Sequence, residues 1–375
     1  MSGTTTETPA REYRLISADG HLMDPPDLWT SQAPAKYRDQ VPRMESFEKG
    51  DAWVFPGRDT PSPFNWVACA GRAPDEQGLW CRLEDINPAC YDAKARVDAL
   101  DLDGIDAELL FPNGLDWVVD STDREFHLTM TRIYNDHLSS FCAYAPDRFG
   151  GAALLPATGV DDALAEIERL AGLPGIVAFL LKRYPHGDST LTGDEDDKVW
   201  AAIEATGKPV TIHVSLRSAA SFNMSAMALP GTVHFHDAPA RMLEFIFSGV
   251  LDRFPTLNVF LAEIDCGWLP YYAQQCDDNY LRHSKSELRD VHLARMPSEY
   301  MKERFPASFI TDPYAVENRH AVGIERMLWS SDYPHITSDW PYSWKTVNAT
   351  FMGVPDDERH AILAGNAQRL FGFGR

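Results

Sequence analysis

The sequence predicts an α/β fold: a (β/α)8 barrel of the TIM type with an inserted cap region after the first strand. Three observations support this prediction. Short apolar segments alternate with helical patterns over most of the 375 residues, and strands that alternate with helices form parallel sheets. Eight strand segments can be counted, the number that closes such a barrel. The first strand is not followed by the Gly-x-Gly-x-x-Gly turn of the competing doubly wound sheet.

The predicted strands are short and end at polar or turn-forming residues. They cover Tyr13–Ala18, Ile105–Phe111, Gly151–Leu155, Gly175–Leu181, Pro209–Val214, Leu257–Ala262, Phe309–Thr311 and Met327–Ser330. Gly207 is predicted to end the helix Asp194–Thr206. The region 30–88 has little periodicity, which is typical of a lid or a binding loop. We therefore expect a flexible tail over 1–11 and a single domain over 12–375 that contains this insertion.

Composition excludes several classes of function. The net charge of −21 and the pI near 4.9 argue against nucleic acid or an anionic membrane as partner. Six cysteines without Cys-x-x-Cys spacing are expected to be free thiols. We find neither a signal-peptide core nor an apolar run of membrane-spanning length. These features predict a cytoplasmic protein that acts on a small molecule.

Polar residues recur where the predicted strands end, and the active site of such a barrel lies at the carboxyl ends of its strands. Side chains alternate along a strand, so those of Asp19 and His21 point to the same side. The other candidates at strand ends are Lys182, His213, Glu263, Asp312, Asp332 and His335. Imidazole and carboxylate ligands favour zinc, manganese or iron over calcium. The pattern thus predicts a catalytic divalent metal ion.

Each residue alone also has a common structural role. His213 could be a hydrogen-bonded histidine of the core, and Asp332 could close an Asx turn. Asp24 could reach the site or stabilise a turn, and we favour the turn. The aromatic residues of the insertion could cover the substrate or pack between subunits; they are Trp53, Phe55, Phe64, Trp66 and Trp80.

Several motifs together resemble the metal-dependent amidohydrolase superfamily, in the branch of aminocarboxymuconate-semialdehyde decarboxylase. The motifs are Ser17-Ala18-Asp19-Gly20-His21, Pro209-Val210-Thr211-Ile212-His213 and Trp329-Ser330-Ser331-Asp332-Tyr333-Pro334-His335, with support from 248–257 and 362–371. The resemblance implies that Asp19, His21, His213 and Asp332 hold one divalent ion, with two ions as an alternative. It also favours His236, rather than His234, as a residue that faces the pocket.

Two positions depart from the family pattern. The family usually has His-x-His on the first strand, where this chain has Asp19 and His21. Decarboxylase members usually carry a catalytic histidine where this chain has Glu263. A glutamate is a good ligand for a second metal and acts as a base only with a suitable pKa. Alternatively, Glu263 could orient a ligating histidine.

We therefore predict a metal-dependent hydrolase or carbon–carbon lyase that acts on a small organic acid or amide. Asp332 or Glu263 would move the proton, with His236 as a further catalytic candidate. Lys182, Trp268 and His335 are the candidate substrate-binding residues, although adjacent basic residues such as Lys182 and Arg183 are often only solvated. One alternative is a dinuclear iron or manganese–iron oxygenase, and another is a catalytically silent structural subunit. We expect a homo-oligomer, or a hetero-oligomer with a related chain.

Overall fold

The computed structural model describes residues 11–188, 190–191, 193–216, 234–283 and 292–374, with the side chains of 234–236 excepted. Eleven strands are formed in this part of the chain. In chain order they are β1 Ile16–Leu22, β2 Arg43–Phe47, β3 Gly50–Val54, β4 Ser62–Pro63, β5 Ala107–Pro112, β6 Phe149–Leu154, β7 Ile176–Leu181, β8 Val210–His213, β9 Val259–Ala262, β10 Ala307–Phe309 and β11 Met327–Trp329.

Eight of these strands form one parallel sheet in the order β1-β5-β6-β7-β8-β9-β10-β11. The two edges of this sheet meet just beyond β11. The backbone N–H of Asp332 donates to the carbonyl of Asp19 (2.9 Å), and the N–H of His21 donates to the carbonyl of Tyr333 (2.7 Å). These bonds close the sheet, and the predicted (β/α)8 barrel is confirmed.

The helices pack around this sheet, and several of them have a capping aspartate at the start or a left-handed glycine at the end. The longer helices are Ala93–Asp103, Arg124–Cys142, Val160–Leu170, Asp197–Thr206, His234–Phe247, Leu269–His283, Pro297–Arg304 and Ser343–Thr350. The shorter ones are Leu28–Gln32, Asp116–Val119, Val250–Arg253, Pro313–Glu317, Arg319–Val322, Asp356–His360 and Asn366–Phe371. Asp92 caps the first of the longer helices by accepting from the N–H of Ala95. Gly207 ends its helix in the left-handed conformation (φ 69°), as predicted.

The first strand differs from its predicted bounds. It begins three residues later than Tyr13 and continues to Leu22, so Asp19 and His21 lie within β1 rather than after it. The pairing with β5 shifts register between Ser17 and Gly20 and then resumes, with Gly20 opposite Leu110. The sequence alone indicates a strand end at the polar Asp-Gly-His segment, because the apolar pattern stops there. The backbone pairing with β5 nevertheless continues through this segment.

The insertion contains more regular structure than its weak periodicity indicated. Strands β2, β3 and β4 form an antiparallel sheet, which the sequence prediction missed. A small apolar cluster that includes Phe64 and Cys81 stabilises the region. Two backbone bonds join it to the loop after β11, from Ala70 to the carbonyl of Pro334 and from Ile336 to that of Trp66 (3.1 and 3.0 Å). The insertion is therefore docked beside that loop.

Two expectations from composition can be compared with the structure. All six cysteines are free, as predicted, and five of them are buried. Among the described residues, no helix is long and apolar enough to cross a membrane.

Candidate metal centre

Six histidine and carboxylate side chains converge at the carboxyl end of the barrel. Their possible ligand atoms form two overlapping groups, and within each group all these atoms lie within 4.8 Å of one another. The first group contains Asp19, His21, His213 and Glu263, and the second contains His21, Glu263, Asp332 and His335. The elements that supply them are β1, β8 and the loops after β9 and β11.

Two of the histidines, His21 and His213, face each other in this cluster. Nε2 of His213 lies 3.1 Å from Nε2 of His21 and 3.3 Å from Oδ1 of Asp19. Nε2 of His21 lies 3.3 Å from Oδ1 of Asp332. Oε2 of Glu263 lies 3.4 Å from Nε2 of His213. Nitrogen and oxygen atoms thus surround one small space, as around a zinc or manganese ion.

The carboxylate of Asp19 provides a test of whether a cation fits. Asp19 is fully buried, and neither of its oxygens makes a hydrogen bond within the described part of the chain. A buried carboxylate without such partners costs several kcal/mol unless a positive charge compensates it. A divalent ion among these residues would supply that charge, so the donor set fits a metal.

Further side chains and carbonyls orient the ligands. Nδ1 of His21 lies 3.3 Å from the carbonyl of Pro112, which directs the opposite ring nitrogen toward the cluster. Oγ1 of Thr337 donates to Oδ2 of Asp332. The ring of His335 stacks on that of His21 with centroids 3.8 Å apart, and its Nε2 lies 2.8 Å from Oδ1 of Asn113.

The backbone at this end of the barrel adopts strained conformations. Val214, Glu263, Asp265 and Asp332 have positive φ angles of 59°, 56°, 57° and 52°. Non-glycine residues rarely adopt this region, at a cost of about 1–3 kcal/mol each. All four follow barrel strands directly or within three residues. The strain turns the chain sharply where the ligand side chains must point into the site.

Burial and neighbouring charges shift the pKa values of several groups in the cluster. Burial raises the pKa of Asp19 to about 7 and lowers that of His21 to about 4. Burial, followed by the charges of Asp332 and Asp19, raises the pKa of Glu263. Burial alone would also raise the pKa of Asp332, but the charge of His335 and hydrogen bonds from His21 and His335 outweigh it and lower that pKa.

Two other predicted residues, Lys182 and Trp268, lie outside the two ligand groups. Nζ of Lys182 lies 3.5 Å from Oδ1 of Asp116 at the rim. The indole N–H of Trp268 donates to the carbonyl of Ile264 (2.9 Å). Its indole N–H is therefore already hydrogen-bonded within the loop after β9. The side chains of His234 and His236 lie outside the described residues.

Two aspartates that were candidates have structural contacts instead. Asp312 caps the helix Pro313–Glu317 and accepts from the N–H groups of Cys266 and Gly267 (2.9 and 2.7 Å). It supports the loop after β9 and does not belong to either ligand group. Asp24 accepts from the indole N–H of Trp29 (2.9 Å). Its side chain therefore bonds to another side chain and does not stabilise a turn, as we had favoured.

Four residues near the site were missed from the sequence: Arg96, Glu108, Asn113 and Thr337. Asn113 directly follows β5 and could have been found by the same strand-end rule. Glu108 could also have been found, because it is a lone charge in an apolar strand. Arg96 and Thr337 gave no such signal.

A (β/α)8 barrel with histidine and carboxylate side chains converging at its carboxyl end defines the class of metal-dependent barrel enzymes. Residues 88–373 match the family described as Amidohydrolase. The chain belongs to this family, in the decarboxylase branch that its motifs resemble, and the predicted metal-dependent enzyme with a divalent cofactor is confirmed at this level.

The chain is similar to several known proteins, of which three are representative. Gamma-resorcylate decarboxylase of Rhizobium sp. (strain MTP-10005) is 27% identical over 290 residues, 74% of this chain and 86% of that protein. An amidohydrolase structure from Mycobacterium avium subsp. paratuberculosis K-10 has a TM-score of 0.75 at 19% identity, covering 97% and 100% of the two chains. Dihydroxybenzoic acid decarboxylase from Polaromonas sp. JS666, solved with manganese and 2-nitroresorcinol, has a TM-score of 0.65 at 19% identity, covering 97% and 98%. None of the three supports the oxygenase or the silent subunit.

Proposed function

We propose that this protein is a metal-dependent decarboxylase of a small aromatic carboxylic acid. The bond between the ring and its carboxylate breaks, carbon dioxide leaves, and the ring carbon takes up a proton. The observation that supports this reaction is the convergence of Glu263 with two histidines and two further carboxylates at the carboxyl end of the barrel, in a set of residue types that suits a divalent ion. The decarboxylase relatives support the same reaction class.

In this proposal Asp19, His21, His213 and Asp332 hold the ion. Asp332 suits a ligand because its pKa is lowered, which keeps it ionised. Because the side chains form two overlapping ligand groups, a site with two ions is the alternative. Manganese, which the Polaromonas relative binds, suits these ligands, as zinc and iron do. When bound, the ion supplies positive charge that binds and polarises an anionic substrate.

Glu263 is proposed to hold the proton that the ring carbon receives. Its carboxylate lies among the candidate metal ligands, with Oε2 3.4 Å from Nε2 of His213, and a carboxyl group in its protonated form can act as a general acid. Glu263 thereby takes the place of the histidine that related decarboxylases usually carry. His236 remains a candidate for the same step.

The rim of the site suits a planar acid. Trp66, from the insertion, is half exposed, and its ring centroid lies 6.1 Å from that of His335. Lys182 supplies a cation at the rim, with 18% of its side chain exposed. We propose that Trp66, His335 and Trp268 contact the substrate ring and that Lys182 attracts its carboxylate.

The test is carbon dioxide release by the purified protein loaded separately with Mn²⁺, Zn²⁺ or Fe²⁺. Gamma-resorcylate and other hydroxybenzoates serve as substrates, and the arene product is measured by chromatography. In D2O the product should carry one deuterium at the former carboxylate position. Hydrolysis of amides or esters without carbon dioxide release from any of these acids would contradict the proposal.

Glu263→Gln tests the proton donor. The amide cannot donate an acidic proton, so kcat should fall by about 10²–10⁴-fold while metal content is unchanged. Asp265→Asn is the matched control: Asp265 is likewise partly buried, with a raised pKa and a positive φ, but it lies outside both ligand groups. If both variants lose the same activity, Glu263 does not have the proposed role.

A further inference from the structure

The guanidinium of Arg96 is fully buried next to the metal centre and joins four segments of the chain. Its Nε and Nη2 donate to both carboxylate oxygens of Glu108 (2.6 and 2.9 Å). Nη1 donates to the carbonyls of His21 and Ala89 (3.0 and 3.1 Å), and Nη2 donates to the carbonyl of Tyr333 (3.0 Å). The two parallel hydrogen bonds between the guanidinium and the carboxylate form a bidentate pair. This geometry fixes the relative positions of the two side chains more firmly than a single bond would.

Two of these contacts are at metal-ligand residues or beside them. The carbonyl of His21 belongs to a ligand on β1, and Tyr333 directly follows the ligand Asp332. The same Tyr333 carbonyl also accepts from the N–H of His21. The ring of Tyr333 lies 4.4 Å from the guanidinium, measured to its centroid. Arg96 therefore holds together the two backbone segments that supply Asp19, His21 and Asp332.

Gly20 shows how tightly β1 passes over this pair. A Cβ atom at Gly20 would lie 2.4 Å from Oε2 of Glu108 and 3.1 Å from Nη2 of Arg96. Gly20 separates Asp19 from His21, so the backbone between two ligands rests against the ion pair. Any shift of the pair would move both ligands.

Stability alone does not account for an ion pair at this place. Both side chains have no exposed surface, and replacing a buried ion pair by apolar residues is often neutral or stabilising. We propose that Arg96 and Glu108 are positioning residues that set the separation of the β1 and β11 ligands and thereby the affinity for metal. The inference rests on the metal site of the proposed function but not on its substrate.

Arg148 provides a matched control within the same chain. It is also buried, it also donates to two carbonyls, those of Asp106 and Ile105 (2.6 and 3.0 Å), and it pairs with the carboxylate of Asp101 (2.8 Å). Those carbonyls precede β5, at the amino end of the barrel. Arg148 should therefore contribute to stability without setting the geometry of the metal ligands.

The experiment compares Arg96→Lys with Arg148→Lys in the full chain. The dissociation constants of Mn²⁺ and Zn²⁺ are measured by chelator competition, and stability is measured by urea unfolding with excess chelator. Both substitutions should lower stability, but only Arg96→Lys should weaken metal binding, by about 10–100-fold. Equal effects of the two variants on metal affinity would overturn the proposal.

A double variant covers the case in which Arg96→Lys does not fold. Arg96→Met with Glu108→Leu removes both buried charges and should fold, yet bind metal more weakly. A folded double variant with wild-type affinity would overturn the proposal. Affinity is measured without substrate, so a wild-type protein that binds metal but releases no carbon dioxide contradicts the decarboxylation alone. A wild-type protein that binds no divalent metal contradicts both proposals.

Discussion

Buried aspartates have different environments at the two ends of the barrel. At the amino end, Oδ2 of Asp106 accepts from the N–H groups of Arg14 and Leu15 (2.7 and 3.0 Å), and Arg148 is hydrogen-bonded to carbonyls. At the carboxyl end, both oxygens of Asp19 and Oδ1 of Asp24 are buried without a hydrogen bond in the described chain. One end therefore contributes to stability, whereas the other gives up stability for a binding site.

The backbone shows the same asymmetry. Each of the four non-glycine residues with positive φ in the described chain follows β8, β9 or β11. A fold tolerates such local cost only where the surrounding structure over-determines it. The closing hydrogen bonds between β1 and the loop after β11, together with Arg96, provide that constraint here. The comparison can be tested by changing one end at a time.

The largest effect is expected from removing a ligand at the carboxyl end. His213→Ala takes away one nitrogen and should leave the purified protein with little metal. Activity should fall by on the order of 10³-fold or more, because a catalytic ion supplies several kcal/mol. Mass spectrometry measures the metal content, and circular dichroism shows whether the secondary structure is retained. Asp332→Ala should lose metal and activity in the same way.

His320→Ala is the control for this loss. His320 has 67% of its side chain exposed and lies near Glu358, outside both ligand groups. Its removal should leave metal content and activity unchanged. If His213→Ala and Asp332→Ala retained full metal occupancy, the assigned site would be wrong.

An intermediate effect is expected at Asp24, through pH. Burial raises its pKa in the folded protein to about 7, against about 3.9 in an unfolded chain. The folded state thus binds a proton more tightly, so stability falls as the pH rises from about 4 to about 7. Asp24→Asn removes this penalty. The variant should match the wild type near pH 4 and exceed it at pH 8, by up to about 4 kcal/mol.

The control for Asp24 lies at the amino end. Asp106→Asn weakens two charge-assisted hydrogen bonds and should destabilise the protein by about 1 kcal/mol at pH 8. Urea unfolding at pH 4 and pH 8 measures both variants. If the two substitutions changed stability in the same direction at pH 8, the proposed difference between the barrel ends would not hold for these carboxylates.

The sequence predicts most of what depends on local pattern. Apolar runs indicated the barrel strands, and the strand-end rule placed His213, Glu263 and Asp332 near one another. The β2–β3 hairpin was missed because its residues lack clear alternation. The roles of Arg96 and Asp312 were missed because their partners, such as Tyr333 and Cys266, are distant in sequence, and no local pattern encodes such contacts.

The smallest effect is expected at Thr337, which touches a ligand but is not one. Its hydroxyl donates to Oδ2 of Asp332, and a hydrogen bond of this kind orients a ligating carboxylate. Thr337→Val keeps the shape of the side chain and removes the donor, so metal affinity should fall by about 10-fold or less, below the effect of Arg96→Lys. Chelator competition measures the affinity, and Thr337→Ser should restore it. If Thr337→Val weakened binding more than Arg96→Lys did, the position of Asp332 would depend on its side-chain contact rather than on the backbone that Arg96 holds.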